Sequence, residues 1–218
     1  MIIYKRNLPH IHPEEGKIFT TFGLTNSIPS NVFDLIKTEH HIKITNLKNT
    51  IKNDTALKEE MYKLNKIFFG KYDRYLDNDS DRSKIYIDDN VAKLISDKLK
   101  SFDKKRYDLI AYCIMPNHVH LMVEHYNLEQ NQTNVKGKGK NYLFSETLRL
   151  IKGSTSREAN KILNRNGEFW HHESYDHYVR NDKELNNIIN YILQNPVKAG
   201  LVKNYNEWKW SYNKFDNN

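Results

Sequence analysis

The chain predicts an α+β fold: a ferredoxin-like antiparallel sheet with its helices on one side and an enlarged helical region between the first and second strands. Three observations carry that prediction. Two strand-like apolar runs, 109–115 and 118–124, are separated only by Pro116 and Asn117, a spacing that pairs neighbouring strands antiparallel. A third run, 18–24, precedes them, and helical periodicity fills the chain on either side. The order is strand, helices, two strands, helix, mixed segment, helix, and it lacks the regular alternation of a parallel sheet.

Residues 1–16 read as an irregular arm, because Pro9 and Pro13 flank His10-Ile11-His12 and argue against a sheet there. Ile18 to Leu24, rich in aromatic and β-branched residues, is the first strand. After Ser27-Ile28-Pro29, Ser30 or Asn31 can cap a helix carrying Val32, Leu35 and Ile36. Residues 44–104 read as a charged helical insertion, with Met61, Leu64, Ile67, Phe68 and Phe69 as apolar positions. Val91, Leu94, Ile95 and Leu99 continue it at helical spacing. The acidic run Asp77 to Asp81 resembles the start of a calcium loop. Arg82 and Asp88 occupy its glycine and glutamate positions, so it reads as a solvated loop.

Residues 127–141 form a polar, flexible loop ending in alternating lysine and glycine, Lys136 to Lys140, which could touch phosphate. A helix follows from Ser145, with Leu148, Ile151, Thr155, Ala159 and Ile162 on one stripe. The segment from Phe169 to Arg180 is dense in aromatics and histidine. Asn181 or Asp182 caps the last helix, which holds Leu185, Ile188, Ile189, Ile192 and Leu193 and is expected to stop at Pro196. No internal repeat is visible, and residues 1–218 read as a single domain.

Composition narrows the function. A formal charge of +7 favours a polyanionic partner, nucleic acid first. The single cysteine, Cys113, falls in a strand and forms no internal disulfide, which fits a reducing compartment. No apolar run has the length of a membrane span, and the N-terminus lacks the apolar core of a signal peptide. The expectation is a soluble, cytoplasmic protein with no membrane partner.

The candidate chemistry begins at His118 and His120. Successive strand residues alternate faces, so the two imidazoles project together and make half of a metal site. The same spacing at His10 and His12 lies outside any strand pattern and reads as incidental. Ordinary hydrogen-bonded strand histidines are the alternative at positions 118 and 120 as well. The last helix offers the other half: Asn187, Tyr191 and Asn195 are four residues apart and share one edge. Asn195 can donate a third ligand while Tyr191 faces a phosphodiester, with Gln194 as an alternative amide. A metal would polarise the phosphate, and attack by the phenol would give a phosphotyrosine and a free hydroxyl. A zinc hydrolase using His118, His120 and either His172 or His177 is a rival. No carboxylate base has the helical spacing to the pair that such an enzyme needs.

Pro116-Asn117-His118-Val119-His120-Leu121, then Phe169-Trp170, then Tyr191 to Val202 resemble the single-tyrosine HUH transposases, and within them the REP-associated tyrosine transposases of bacteria. Arg6-Asn7-Leu8-Pro9-His10 and Phe19 to Phe22 extend the resemblance, which is weakest in 44–104 and 127–141. It implies His118, His120 and Asn195 as metal ligands, Tyr191 as nucleophile, and Mg²⁺ or Mn²⁺ as cofactor. It further implies cleavage of hairpin-associated single-stranded DNA through a 5′-phosphotyrosine, by a monomer or homodimer that is nucleoid-associated when bound. Lys5, Arg6, Lys152, Arg157 and Lys161 are the expected backbone contacts, and Trp170 an expected stacking platform. A domesticated, non-catalytic hairpin-binding protein of the same fold is the alternative.

Overall fold

The histidine pair opens the central strand of a sheet. The structure, a computed structural model, describes residues 2–3, 11–12, 16–77, 86–125 and 143–216. Most of the acidic run after Asp77 and the 127–141 loop lie outside them. In chain order come β1 (Ile2–Ile3), β2 (Ile11–His12) and β3 (Gly16–Gly23), then α1 (Ser30–Thr50), α2 (Asp54–Asp77) and α3 (Asp89–Ser101). They are followed by β4 (Asp108–Ile114), β5 (His118–His125), α4 (Leu143–Ile162), β6 (Tyr175–Tyr178), α5 (Asp182–Lys198) and β7 (Ser211–Asn213). The five-stranded sheet has the order β6-β3-β5-β4-β7, with every neighbouring pair antiparallel.

The α+β class and the enlarged helical region between β3 and β4 are as expected. The helices, however, cover both faces rather than one. Ile18, Phe22, Leu109, Leu121 and Val123 face α3 and α4, whereas Phe19, Ile110, Cys113 and Met122 face α1, α2 and α5. The reason is in β4: Leu109, Tyr112 and Ile114 join one core, Ile110, Ala111 and Cys113 the other, and all are buried. A strand apolar on both faces requires cover on both.

Three local expectations change. Ile11–His12 pairs with Ile2–Ile3, so the N-terminal segment holds a short ladder; positions 11 and 12 lie between the prolines and keep their N–H groups. Helix α1 starts at Ser30, with Pro29 in the cap position and no side-chain cap. Phe33 and Ile36 are its buried residues, and Leu35 is 58% exposed. Helix α5 is capped by Asn181, whose side chain accepts the Glu184 N–H at 2.9 Å, but it continues past Pro196 to Lys198. Proline forfeits only its own donor, and the turn resumes as the Ala199 N–H reaches the Asn195 carbonyl at 3.0 Å.

The Pro116-Asn117 turn is held from two sides. The Leu24 N–H donates to the Asn117 carbonyl and the Ile87 N–H to the Pro116 carbonyl, each at 2.8 Å. The start of β5 is thereby fixed before any side chain of the site is considered.

Candidate active site

His120 pairs in register with Thr21 of β3, and His118 with Gly23. The absent side chain at Gly23 leaves room for the end of α2. A Cβ there would lie 2.8 Å from the Ser27 hydroxyl and 3.1 Å from Leu76 Cδ2. Helix α2 therefore runs close over the imidazoles and brings Asp73 to them.

Each imidazole is oriented by a partner behind it. His118 Nδ1 lies 2.7 Å from Asn117 Oδ1. The Asn117 amide is itself fixed, since its Nδ2 donates to the Leu76 carbonyl at 2.7 Å. An amide oxygen only accepts, so His118 carries its proton on Nδ1 and a lone pair on Nε2. His120 Nδ1 is 2.7 Å from the Thr21 hydroxyl, and its Nε2 is 3.0 Å from Asn195 Nδ2. The amide donates, which gives His120 the same tautomer. Two Nε2 lone pairs then face one another at 3.0 Å. Burial pushes the His118 pKa down to about 3 and that of His120 well below its usual value, so protonation does not relieve the clash at neutral pH.

Two oxygens complete the cluster. Asp73 Oδ1 lies 3.6 Å from His120 Nε2, and Asp73, His118 and His120 each offer a donor atom within 4.8 Å of the others. Asp73 Oδ1 and Asn195 Oδ1 are buried and have no hydrogen-bond partner. Burial, reinforced by the nearby Asp77, raises the Asp73 carboxyl to about 7. The two orphaned buried oxygens beside the two converging imidazole nitrogens fit a divalent cation, which would compensate both oxygens and hold the nitrogens together. A half-turn of the Asn195 amide exchanges its two terminal atoms, so the side chain can present oxygen to the same point.

Tyr191 stands at the edge of this cluster. Its hydroxyl donates to Asp73 Oδ2, its ring meets that of His120 edge-on at 5.4 Å, and Lys198 Nζ lies 4.6 Å from the ring centroid. Burial, then the Asp73 carboxylate, raises its pKa, so the isolated chain keeps the phenol protonated.

The structure thus brings His118, His120, Tyr191 and Asn195 together, while Gln194 is exposed. It adds Asp73, Asn117 and Thr21, which the sequence reading did not select. Only Asn117 left a trace, as part of the Pro-Asn-His turn. Trp170, the expected stacking platform, is buried instead: it is 5% exposed, its indole N–H donates to the Thr155 hydroxyl at 2.9 Å, and its ring and that of Phe22 meet in a T-shaped contact at 4.9 Å. Lys152 donates to the His171 carbonyl at 2.6 Å and the His172 carbonyl at 3.0 Å. Arg157 is exposed and Lys161 pairs with Glu158 at 3.0 Å. These three belong to α4, over the face opposite the histidines. Lys5 and Arg6 lie outside the described residues. His177 bonds Glu184 and His172 neighbours Glu173, so neither belongs to the cluster that a zinc hydrolase would need.

Fold and site define a candidate metal-assisted centre: two strand imidazoles facing a helix that carries a tyrosine. A family model described as "Transposase IS200 like" matches residues 80–195, more than half of the sequence. The chain belongs to that family. A Haemophilus influenzae protein described as a REP-associated tyrosine transposase is 29% identical over 131 residues, which cover 60% of this chain and 73% of that protein. A solved REP-associated tyrosine transposase bound to a REP hairpin matches over 97% of this chain and 82% of its own length, with a TM-score of 0.49 and 18% identity. Among the described residues no helix is long and apolar enough to cross a membrane.

Proposed function

We propose that the protein is a metal-dependent, single-tyrosine DNA transesterase that cleaves hairpin-associated single-stranded DNA. The observation that carries this reading is the tyrosine hydroxyl bonded to a carboxylate whose other oxygen is orphaned against two imidazole lone pairs. Membership of a transposase family and similarity to a protein described as a REP-associated tyrosine transposase support DNA as the substrate.

In this reading His118, His120, Asn195 and Asp73 hold Mg²⁺ or Mn²⁺. Two nitrogen donors favour Mn²⁺ over the harder Mg²⁺. The bound cation supplies charge to polarise the scissile phosphate and offset the charge that builds on its oxygens. Tyr191 Oη attacks phosphorus; the Oη–P bond forms as the bond to the 3′ oxygen breaks. The phenolic proton passes along the existing hydrogen bond to Asp73, and the departing oxygen takes a proton from water and leaves as a 3′-hydroxyl. The 5′ phosphate stays on Tyr191. One phosphodiester replaces another, so the step is reversible and a second 3′-hydroxyl can take the strand. Arg157 and Lys161, over the opposite face, contact backbone beyond the cleavage point, in the hairpin stem.

The test is incubation with labelled hairpin-bearing single-stranded DNA and Mn²⁺, followed by a denaturing protein gel. A DNA-linked protein band that disappears in Tyr191→Phe is expected. Tight hairpin binding with no band in any divalent metal would instead make the chain a non-catalytic binder.

A further inference from the structure

Helices α2 and α5 continue past the metal cluster as two facing tracks. On α2, Tyr62, Lys66, Phe69 and Asp73 recur at helical spacing and so share a face. On α5 the facing track is Asn187, Tyr191 and Asn195. At one end Asp73 and Asn195 meet the histidines. At the other, Tyr62, Lys66 and Phe69 face Asn187 across a pocket of about 330 Å³, with Tyr191 on its wall. Asn187 stands about 6 Å along the helix from Tyr191, one turn away from the reacting oxygen. The transesterase mechanism uses none of this end.

The walls are aromatic and rigid. The Phe69 ring stacks on Tyr175 at 4.5 Å and meets Phe19 edge-on at 5.3 Å. Phe19 in turn stacks on His120 at 5.8 Å, so pocket and metal cluster share a wall. Tyr62 is fixed at both ends: its hydroxyl donates to Glu184, and the Arg180 guanidinium sits 3.5 Å from its ring centroid. Glu184 is already engaged by His177 at 3.1 Å and by the Arg180 N–H at 3.0 Å. Asn187 and Lys66 are exposed lining residues, and the Lys66 ammonium lies 3.5 Å from Glu184 Oε1 and 5.3 Å from the Tyr62 ring centroid, a pairing exposed at the lysine that phosphate can displace. The volume is at the lower end for small-ligand sites, and aromatic walls flanked by polar side chains, here Lys66, His177, Asn181 and Asn187, are how enzymes hold an extruded base by stacking and hydrogen bonds to its edge.

We infer that this pocket receives the unpaired nucleobase of the nucleotide joined to the scissile phosphate, seating the phosphorus at Tyr191. The inference rests on the transesterase reading. The base packs against Phe69 and Tyr62, the Asn187 amide meets its hydrogen-bonding edge, and Lys66 faces the adjoining backbone.

The experiment uses full-length protein carrying Tyr191→Phe, which keeps the ring and cannot form the covalent link. Hairpin-bearing oligonucleotides carry 2-aminopurine singly at each unpaired position, and binding is followed by its fluorescence. One position is expected to respond sharply, and an abasic site there to weaken binding about ten-fold, within the range of a lost base–aromatic stack. Adding Asn187→Trp fills the pocket from an exposed position; it should abolish that one response and leave the hairpin bound. Signals equal at all positions, or a response that survives Asn187→Trp, overturn the inference. If native protein still forms the covalent adduct in that case, the transesterase reading stands and the pocket alone is lost. Absence of both hairpin binding and adduct overturns the two together.

Discussion

Replacing Asp73 with Asn should move two observables in opposite directions. Without metal, the substitution removes a buried carboxylate that has an orphaned oxygen, a group that costs about 1–3 kcal/mol to bury unpaired, so Tm should rise. With Mn²⁺, the variant loses its one anionic ligand and the cation-induced rise in Tm should shrink, because stabilisation by a bound ligand grows with the logarithm of its affinity at fixed concentration. Equal Mn²⁺ shifts in native and variant protein would remove Asp73 from the ligand set. Asn117→Ala probes the layer behind. It frees the His118 ring and the Leu76 carbonyl together, and metal affinity by titration calorimetry should fall about 10–100-fold. At this scale the sequence was uneven. His118 and His120, or Tyr191 and Asn195, lie within one element each, so period alone groups them. Asp73 sits in another helix amid other charged residues, and only the packing of α2 over β5 singles it out.

That packing depends on one glycine. Gly23→Ala would put a methyl group against Ser27 Oγ and Leu76 Cδ2 and force the end of α2 outward. Overpacking of this kind costs about 1–3 kcal/mol, to be read from denaturant unfolding, and here it should also weaken Mn²⁺ binding because Asp73 rides on the same helix. A stability loss with unchanged Mn²⁺ affinity would show that Asp73 is not held by this contact. Long elements were legible from periodicity: β3, β4, β5, α4 and α5 fall where expected to within a few residues. The edge strands were not. β6 has four residues and β7 three, too few for alternation to register, and both form only by pairing with strands remote in sequence. Trp170 failed for a related reason: an aromatic beside histidines looks equally like a platform or a core residue until Thr155 and Phe22 are seen around it.

For the molecule as a whole, the order of elements gave the α+β class, but not the number of layers. One-sided cover suits a sheet with a solvent-facing polar side, and that side is missing here because β4 places apolar residues in both cores. Net charge was readable at once, and its meaning is testable through salt. With phosphate contacts dominant, log affinity for a hairpin oligonucleotide falls linearly with log salt, by about 0.7 per contact on single strands and 0.9 on duplex. Four single-strand contacts would cost roughly fifty-fold between 50 and 200 mM salt. Arg157→Ala should flatten the slope by close to one contact. Lys161→Ala should act the same way, since its exposed pair with Glu158 is worth little and yields to phosphate. Asn187→Trp removes a stacked base rather than a charge. It should lower affinity equally at every salt concentration and leave the slope alone. A flat salt response in the native protein would make the +7 charge a property of its surface alone and withdraw the electrostatic support for nucleic acid.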